Sequence, residues 1–199
     1  MITFNLFSIP VCKFTLDRPY TDEELAFIND LETRPNQGNT TSTDNNLFDR
    51  EELFGLALFC QKSVDEYFEK IYAPKHDVKL RFTQSWSNYT KPGEYHHKHE
   101  HPNSFVSGVL YINADSTKDK IYFYRNGYQQ IKLPTDNYNM YNSDSWWFEV
   151  GTCDLFLFPS STTHMVQTTE TDKTRISIAF NTFPKGYVGE DLDLTGLHL

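Results

Sequence analysis

Gly93-Glu-Tyr-His-His-Lys-His-Glu-His101, read together with Phe158-Pro-Ser-Ser-Thr-Thr-His164, sets out a histidine pattern that strand geometry makes legible. Side chains alternate along a β-strand. On a strand, His97, His99 and His101 therefore share one face, and His96, Lys98 and Glu100 share the other. His99 and His101, joined by His164 from a neighbouring strand, would close a metal site, and imidazole suits iron, zinc, copper and nickel. The same periodicity keeps Glu100 away from that metal unless the strand bulges. It leaves His97 as a candidate for a supporting or substrate contact. A histidine-rich tract alone is also what a solvated turn looks like; the distant His164 in a strand context separates the two readings. His76 and His198 read as ordinary surface residues. Asp154 precedes an apolar strand and reads as a turn former whose carboxylate takes a local hydrogen bond.

Outward from this stretch the chain is rich in short β patterns. The segments around residues 80–86, 104–112, 120–124, 153–159, 164–169 and 174–180 read as strands separated by turn residues, with the histidine tract and the Trp146-Trp147 run as two more. Many short strands fit a sandwich, jelly roll or barrel. Before them, residues 2–16 alternate enough for one or two strands. Thr21-Asp-Glu-Glu24 has capping-box spacing and predicts a short helix over about 22–32. Residues 33–46 are polar, carry Pro35 and Gly38, and read as a loop. Leu53, Ala57, Cys60, Val64, Tyr67 and Ile71 recur at helical spacing and predict a longer helix from about Asp49 to Tyr72 that buttresses a sheet. The polar insertion from Arg125 to Ser145 carries Tyr128, Tyr138 and Tyr141. It reads equally as a substrate mouth or as a surface loop with aromatic anchors.

The bulk numbers bound the function. The chain has 199 residues, enough for one domain with a sizeable core. Its parts are N-terminal strands and helices over 1–77, a β core over 78–184 and a C-terminal tail over 185–199. The formal net charge of −9, with no basic run, argues against a nucleic-acid surface. An aromatic content of 16% favours a β-rich fold. Cys12, Cys60 and Cys153 are too sparse for a disulfide framework and read as reduced thiols, which fits a cytoplasmic protein. The N-terminal stretch lacks the pattern of a signal peptide, and no run approaches the roughly 20 apolar residues of a membrane helix. The oligomeric state is not legible.

The run from Tyr89 to Asn113 resembles the non-haem Fe(II)/2-oxoglutarate-dependent oxygenases. Gly93, Tyr95 and His99-Glu100-His101 stand where that family has a glycine, an aromatic and His-x-Asp or His-x-Glu, and Tyr111-Ile112-Asn113 follows as the family's next strand ending. His164 and Arg175 match the second motif, a distal histidine followed by Arg or Lys. Ser107-Gly-Val-Leu-Tyr111, Phe158-Pro-Ser160 and Arg175-Ile-Ser-Ile-Ala-Phe-Asn181 look especially like an oxygenase group found in phages and marine bacteria. The resemblance covers about residues 84–184.

It implies a mainly β fold, a double-stranded β-helix (jelly-roll) core with N-terminal helices packed on one sheet. It implies Fe(II) held by His99, His101 and His164, and 2-oxoglutarate held at its far end by Arg175, Tyr111 and Ser177. The arginine's planar fork suits a carboxylate. The implied reaction consumes O2, splits 2-oxoglutarate to succinate and carbon dioxide, and hydroxylates a second, unidentified substrate, with peptidyl chemistry as the first expectation. The location implied is cytoplasmic, and the host cytoplasm if the gene is a phage's. His101 departs from the family pattern, because a carboxylate usually stands there and completes the two-His, one-carboxylate triad. Repair dioxygenases for alkylated nucleic acids carry a second arginine further along the last strand; Asn181 stands there in this chain.

Gly93 and His-x-His also resemble the first cupin motif, and Pro159 to His164 the second, but the cupin glutamate after His-x-His is absent and Ser161 replaces the second motif's glycine. Two alternatives thus stand beside the oxygenase: a cupin-type metal protein that does not use 2-oxoglutarate, and a non-catalytic β-barrel binding module. Arg175 and Tyr111 have a role only in the oxygenase. Arg175 also reads as a surface or ion-paired strand arginine; against this, Arg175, Ser177 and Ala179 share one face of their strand, and an inward arginine is costly without an anionic partner.

Overall fold

The computed structural model describes residues 1–127, 131 and 133–199. Its strands are β1 (Cys12–Thr15), β2 (Thr33–Pro35), β3 (Thr40–Ser42), β4 (Val78–Thr90), β5 (His96–His99), β6 (Val106–Asn113), β7 (Lys120–Tyr124), β8 (Ser145–Glu149), β9 (Asp154–Pro159), β10 (His164–Val166), β11 (Arg175–Val188) and β12 (Leu197–His198). Two helices precede β4: α1 (Asp22–Asp30) and α2 (Phe54–Tyr72), the latter led in by two 3-10 turns at Leu47–Asp49 and Glu51–Leu53.

Among the described residues the strands form two sheets, and every pairing between named strands is antiparallel. The larger runs β1-β9-β6-β11-β4-β3-β2, with β12 on β11; the smaller runs β5-β10-β7-β8. Together they make the double-stranded β-helix. Period-two alternation sorts the larger sheet's side chains into two cores. Leu110, Ile112, Leu155, Leu157, Ile178 and Phe180 point to the helices. Tyr111, Phe156 and Phe158 point the other way, where they meet Ile121, Phe123 and Val150 between the sheets. Gly108 lies opposite Phe180 in the β6–β11 ladder. A Cβ there would lie 2.1 Å from the Phe180 ring, so glycine is what lets that ring cross β6.

α1 begins at the expected cap. The Glu24 backbone N–H donates to the Thr21 hydroxyl at 3.1 Å, and the Thr21 N–H donates to the Glu24 carboxylate at 2.8 Å. α2 starts five residues later than its pattern suggests, after the two 3-10 turns. Its buried stripe holds through Leu53, Cys60, Val64 and Tyr67, then shifts to Phe68, which packs edge-on against Phe105; Ile71 faces solvent. The N-terminal alternation yields a strand only at β1; Ile2, Phe4 and Leu6 are exposed. Residues 33–46 are not simply a loop. They include the β2–β3 hairpin, which extends the larger sheet through Thr40 and Thr41 on β4. Pro35 is tolerated there because β2 is the edge strand. The tail also pairs: β11 continues to Val188, and Leu197 and His198 return onto it.

Of the insertion over 125–145, Tyr138 and Tyr141 are exposed, while Tyr128 lies outside the described residues. The three cysteines are free thiols. Among the described residues, no helix is long and apolar enough to cross a membrane.

Candidate metal and co-substrate site

β5 and β10 place the histidines. His99 sits directly opposite His164 in their ladder, and Val166 opposite His96. Two steps along β10 thus answer three along β5, so β5 carries an extra residue. Such a bulge reverses the alternation beyond it. His96 therefore lies on the same side as His99, their rings stacked 4.7 Å apart at 16°. His97, which strict alternation put with His99 on the side of the site, faces a neighbouring groove, with its Nδ1 3.3 Å from the Gln37 carbonyl, while its ligand atom still falls within 4.8 Å of those of His96 and His99, a second histidine group. His101 lies past the end of β5, so it does not reach the site by strand alternation. Its backbone N–H donates to the Ser160 carbonyl at 3.0 Å, and that bond sets the turn that brings its ring back.

The three expected ligands converge. The candidate ligand atoms of His99, His101 and His164 all lie within 4.8 Å of one another. His99 Nδ1 donates to the His97 carbonyl at 2.8 Å and His164 Nδ1 to the Thr162 carbonyl at 3.0 Å. These bonds fix the tautomer and leave Nε2 of both rings as a lone pair for a metal. Burial, then the nearby His99 and His97, pushes His101 down to about 3. Burial likewise lowers His99 and holds His164 well below its ordinary value. All three are neutral imidazoles at pH 7, the ligating form. Glu100 points elsewhere, accepting a bond from the Thr163 hydroxyl at 3.5 Å. The donor set is three imidazoles, which leaves a bound metal one unit more positive than a triad with a carboxylate would.

This titration has a consequence for the metal-free protein. Unfolded histidines take up protons near pH 6.5, whereas the buried rings resist them. Stability contributed by these neutral rings is present above about pH 6.5 and lost as pH falls toward the depressed folded values. Urea midpoints of the metal-free protein should fall steadily from pH 7.5 to pH 5. A flat profile would contradict the burial described here.

Behind the triad, an inner cavity of about 40 Å³ is lined by Trp86, Asn88, Tyr111, Phe158, Ser177 and Ala179 as well as the histidines. Asn88, Ser177 and Tyr111 form one row across adjacent strands, since Ser177 pairs in register with both. Arg175 lies two residues before Ser177 on the same face. It is 4% exposed and Tyr111 is 1% exposed. Arg175 Nη1 donates to Asp119 Oδ1 at 3.0 Å. Among the described residues, Arg175 Nη2, Tyr111 Oη and Asn88 Oδ1 have no hydrogen-bond partner. Leaving such a group buried and unpaired costs about 1–3 kcal/mol each. Burial also raises the Tyr111 phenol, with Arg175 pulling the other way, so Tyr111 remains a protonated donor. Two buried donors without acceptors, beside the Ser177 hydroxyl, match the far carboxylate of a keto acid. The geometry therefore fits both the metal and the co-substrate.

Other residues fall elsewhere. The Asp154 carboxylate accepts from the Gly151 N–H at 2.8 Å and pairs with Lys13 at 2.7 Å, a turn role. His76 meets Glu190 at 3.1 Å and, with His198, packs on Tyr187. The sequence reading missed His96, Asn88 and Asp119. Asn88 had a signal, since asparagine is depleted in strands and alternation places it with Trp86. Asp119 had none, because it lies in a turn and meets Arg175 only in three dimensions.

Two facing antiparallel sheets carry a histidine cluster at one mouth and, behind it, two buried donors without partners, Arg175 Nη2 and Tyr111 Oη. Residues 84–181 match the model of the family described as Putative 2OG-Fe(II) oxygenase. Solved structures share the fold. SnoN, a non-heme alpha-ketoglutarate-dependent epimerase from nogalamycin biosynthesis, superposes with a TM-score of 0.62 at 10% identity, covering 87% of this chain and 76% of its own. A prolyl hydroxylase from Trichoplax adhaerens, in complex with a hypoxia inducible factor peptide fragment, gives 0.56 at 13% identity, covering 87% and 83%. HygX from Streptomyces hygroscopicus, with nickel and 2-oxoglutarate bound, gives 0.53 at 14% identity, covering 94% and 90%. No curated protein matches the sequence.

Proposed function

We propose that the protein is an Fe(II)- and 2-oxoglutarate-dependent dioxygenase that hydroxylates a second substrate, with His99, His101 and His164 as the metal ligands and Arg175, Tyr111 and Ser177 holding the co-substrate. The iron and keto acid, when bound, supply the oxidising chemistry, splitting 2-oxoglutarate to succinate and carbon dioxide at the expense of O2. The chain supplies orientation. Arg175 Nη2 and Tyr111 Oη donate to the distal carboxylate, and Asp119 holds Arg175 Nη1, which leaves Nη2 without a protein partner. The aromatic wall of Phe123, Phe156 and Phe158 keeps bulk water from the space between the sheets. Three unpaired thiols fit work in the reducing cytoplasm, and residues 1–199 act as one domain in this reading.

The two buried donors that the protein leaves without partners, Arg175 Nη2 and Tyr111 Oη, carry this reading. A three-imidazole metal protein that ignored 2-oxoglutarate would leave both donors buried for no return. The test is succinate release under air with Fe(II) and 2-oxoglutarate, without a second substrate. Slow succinate formation with matching O2 uptake is expected. The absence of both succinate formation and saturable 2-oxoglutarate binding would defeat the proposal.

A further inference from the structure

A second cavity, of about 260 Å³, opens beside the triad between the β2–β3 hairpin and β4. Trp86, His96, His99 and His101 line both cavities, so a molecule in this groove lies against the metal ligands. Beyond His97, the rest of the wall is polar: Arg34, Asn36, Thr41, Ser42, Asn45 and Gln84. The two hydroxyls are committed to the fold, Thr41 donating to the Ser87 carbonyl and Ser42 to the Asp44 carbonyl. The Gln84 amide and the Arg34 guanidinium are exposed and make no hydrogen bond or ion pair among the described residues.

Charge is the second observation. The chain carries a net −9, yet no carboxylate lines this groove and Arg34 is its fixed charge. Other arginines near carboxylates are paired, Arg18 with Glu24 and Arg50 with Asp44. Asn36 Nδ2 donates to Asn39 Oδ1 and Asn45 Oδ1 accepts from Asn46 Nδ2, which leaves the Gln84 amide free and Asn45 Nδ2 as a further donor. An unpaired guanidinium beside these amide groups suits an acidic group on a molecule that both donates and accepts hydrogen bonds. The single large flat surface is the Trp86 indole, which can cover one face of a ring. A prolyl side chain would require apolar walls that the groove lacks.

Building on the oxygenase reading, we infer that this groove seats the second substrate, a small polyhydroxylated molecule bearing one carboxylate or phosphate, with Arg34 pairing the acid and Gln84 and Asn45 bonding its hydroxyls. The substrate is thus selected by polarity and charge at a rim built from the β2–β3 hairpin.

The test uses ¹⁵N-labelled full-length protein loaded with Zn(II), titrated with D-gluconate, D-glucose 6-phosphate and D-glucose, first without and then with saturating 2-oxoglutarate. The Trp86 indole and Gln84 amide signals should move with at least one of the two acids, at an affinity about tenfold tighter than for glucose, the size of one charged hydrogen bond. Response to gluconate alone assigns a carboxylate, and to the phosphate alone a phosphate ester. Arg34→Gln should weaken the acid about tenfold and leave glucose unchanged. Equal affinity for all three sugars, no response at these signals, or an unchanged affinity in Arg34→Gln overturns the assignment. Ser177 and Ala179 signals follow 2-oxoglutarate separately. Their silence, with groove binding intact, would count against the co-substrate reading and leave the groove assignment standing.

Discussion

Arg175→Ala should raise the dissociation constant of 2-oxoglutarate by at least about tenfold, as expected for a charged hydrogen bond lost to a buried carboxylate, while metal affinity stays within about twofold of wild type. The variant carries a second effect that the binding experiment must separate. Arg175 and Asp119 are each 3% exposed in their side chains and pair at 3.0 Å. Removing the arginine leaves Asp119 buried and uncompensated, which costs about 3–5 kcal/mol. A loss of binding could then be ascribed to a damaged fold. Arg175→Met with Asp119→Leu removes both charges and should recover most of that stability, since an apolar couple can replace a buried ion pair. If the double variant is stable and still fails to bind 2-oxoglutarate, the guanidinium itself is the anchor. Isothermal titration with Mn(II) in place of iron, under argon, checks both. Unchanged keto acid affinity in the stable double variant refutes the assignment.

His99→Ala and His164→Ala should each lose metal by more than the about 10–100-fold that removing an outer-shell partner costs. His101→Ala should behave the same way. His96→Ala should not, although its ring stacks on His99 and its ligand atom also converges with those of His97 and His99, because it lies outside the His99–His101–His164 trio. His101→Asp should retain metal, since it supplies the carboxylate common to this chemistry and lowers the site's charge by one unit. Equilibrium dialysis with Zn(II) and Co(II) reads all five. Metal retained in His101→Ala, with loss in the other two alanines, would remove His101 from the ligand set and leave a two-histidine site.

Much of this arrangement was legible from local patterns. The Thr21 cap, the α2 stripe as far as Tyr67 and the inward face of β11 obey single-element periodicity. The site was partly legible for the same reason: His99 and Ser177 lie on strands, and their spacing shows their face. The failures came where one residue changes the count or where partners meet across the fold. The extra residue in β5 moved His96 inward and His97 outward. His101 reaches the site through a turn held by Ser160, which no periodicity describes. The Pro35 and Gly38 signals were true turn signals, but the turn belongs to a hairpin whose edge position tolerates proline. Asp119 became visible only once the chain had brought two sheets together.

The ladder pairing of His99 with His164 bears on more than the reaction. β5 is the terminal strand of the smaller sheet, four residues long, and it is tied to that sheet through β10, itself three residues long. A metal gripping His99 and His164 would be a rivet across that seam, with His101 closing the loop beyond it. Short outer strands with few neighbours are where native structures fray first. Metal loading and the closing of this edge are then one event, and the mouth of the barrel is at its most ordered when the enzyme is armed.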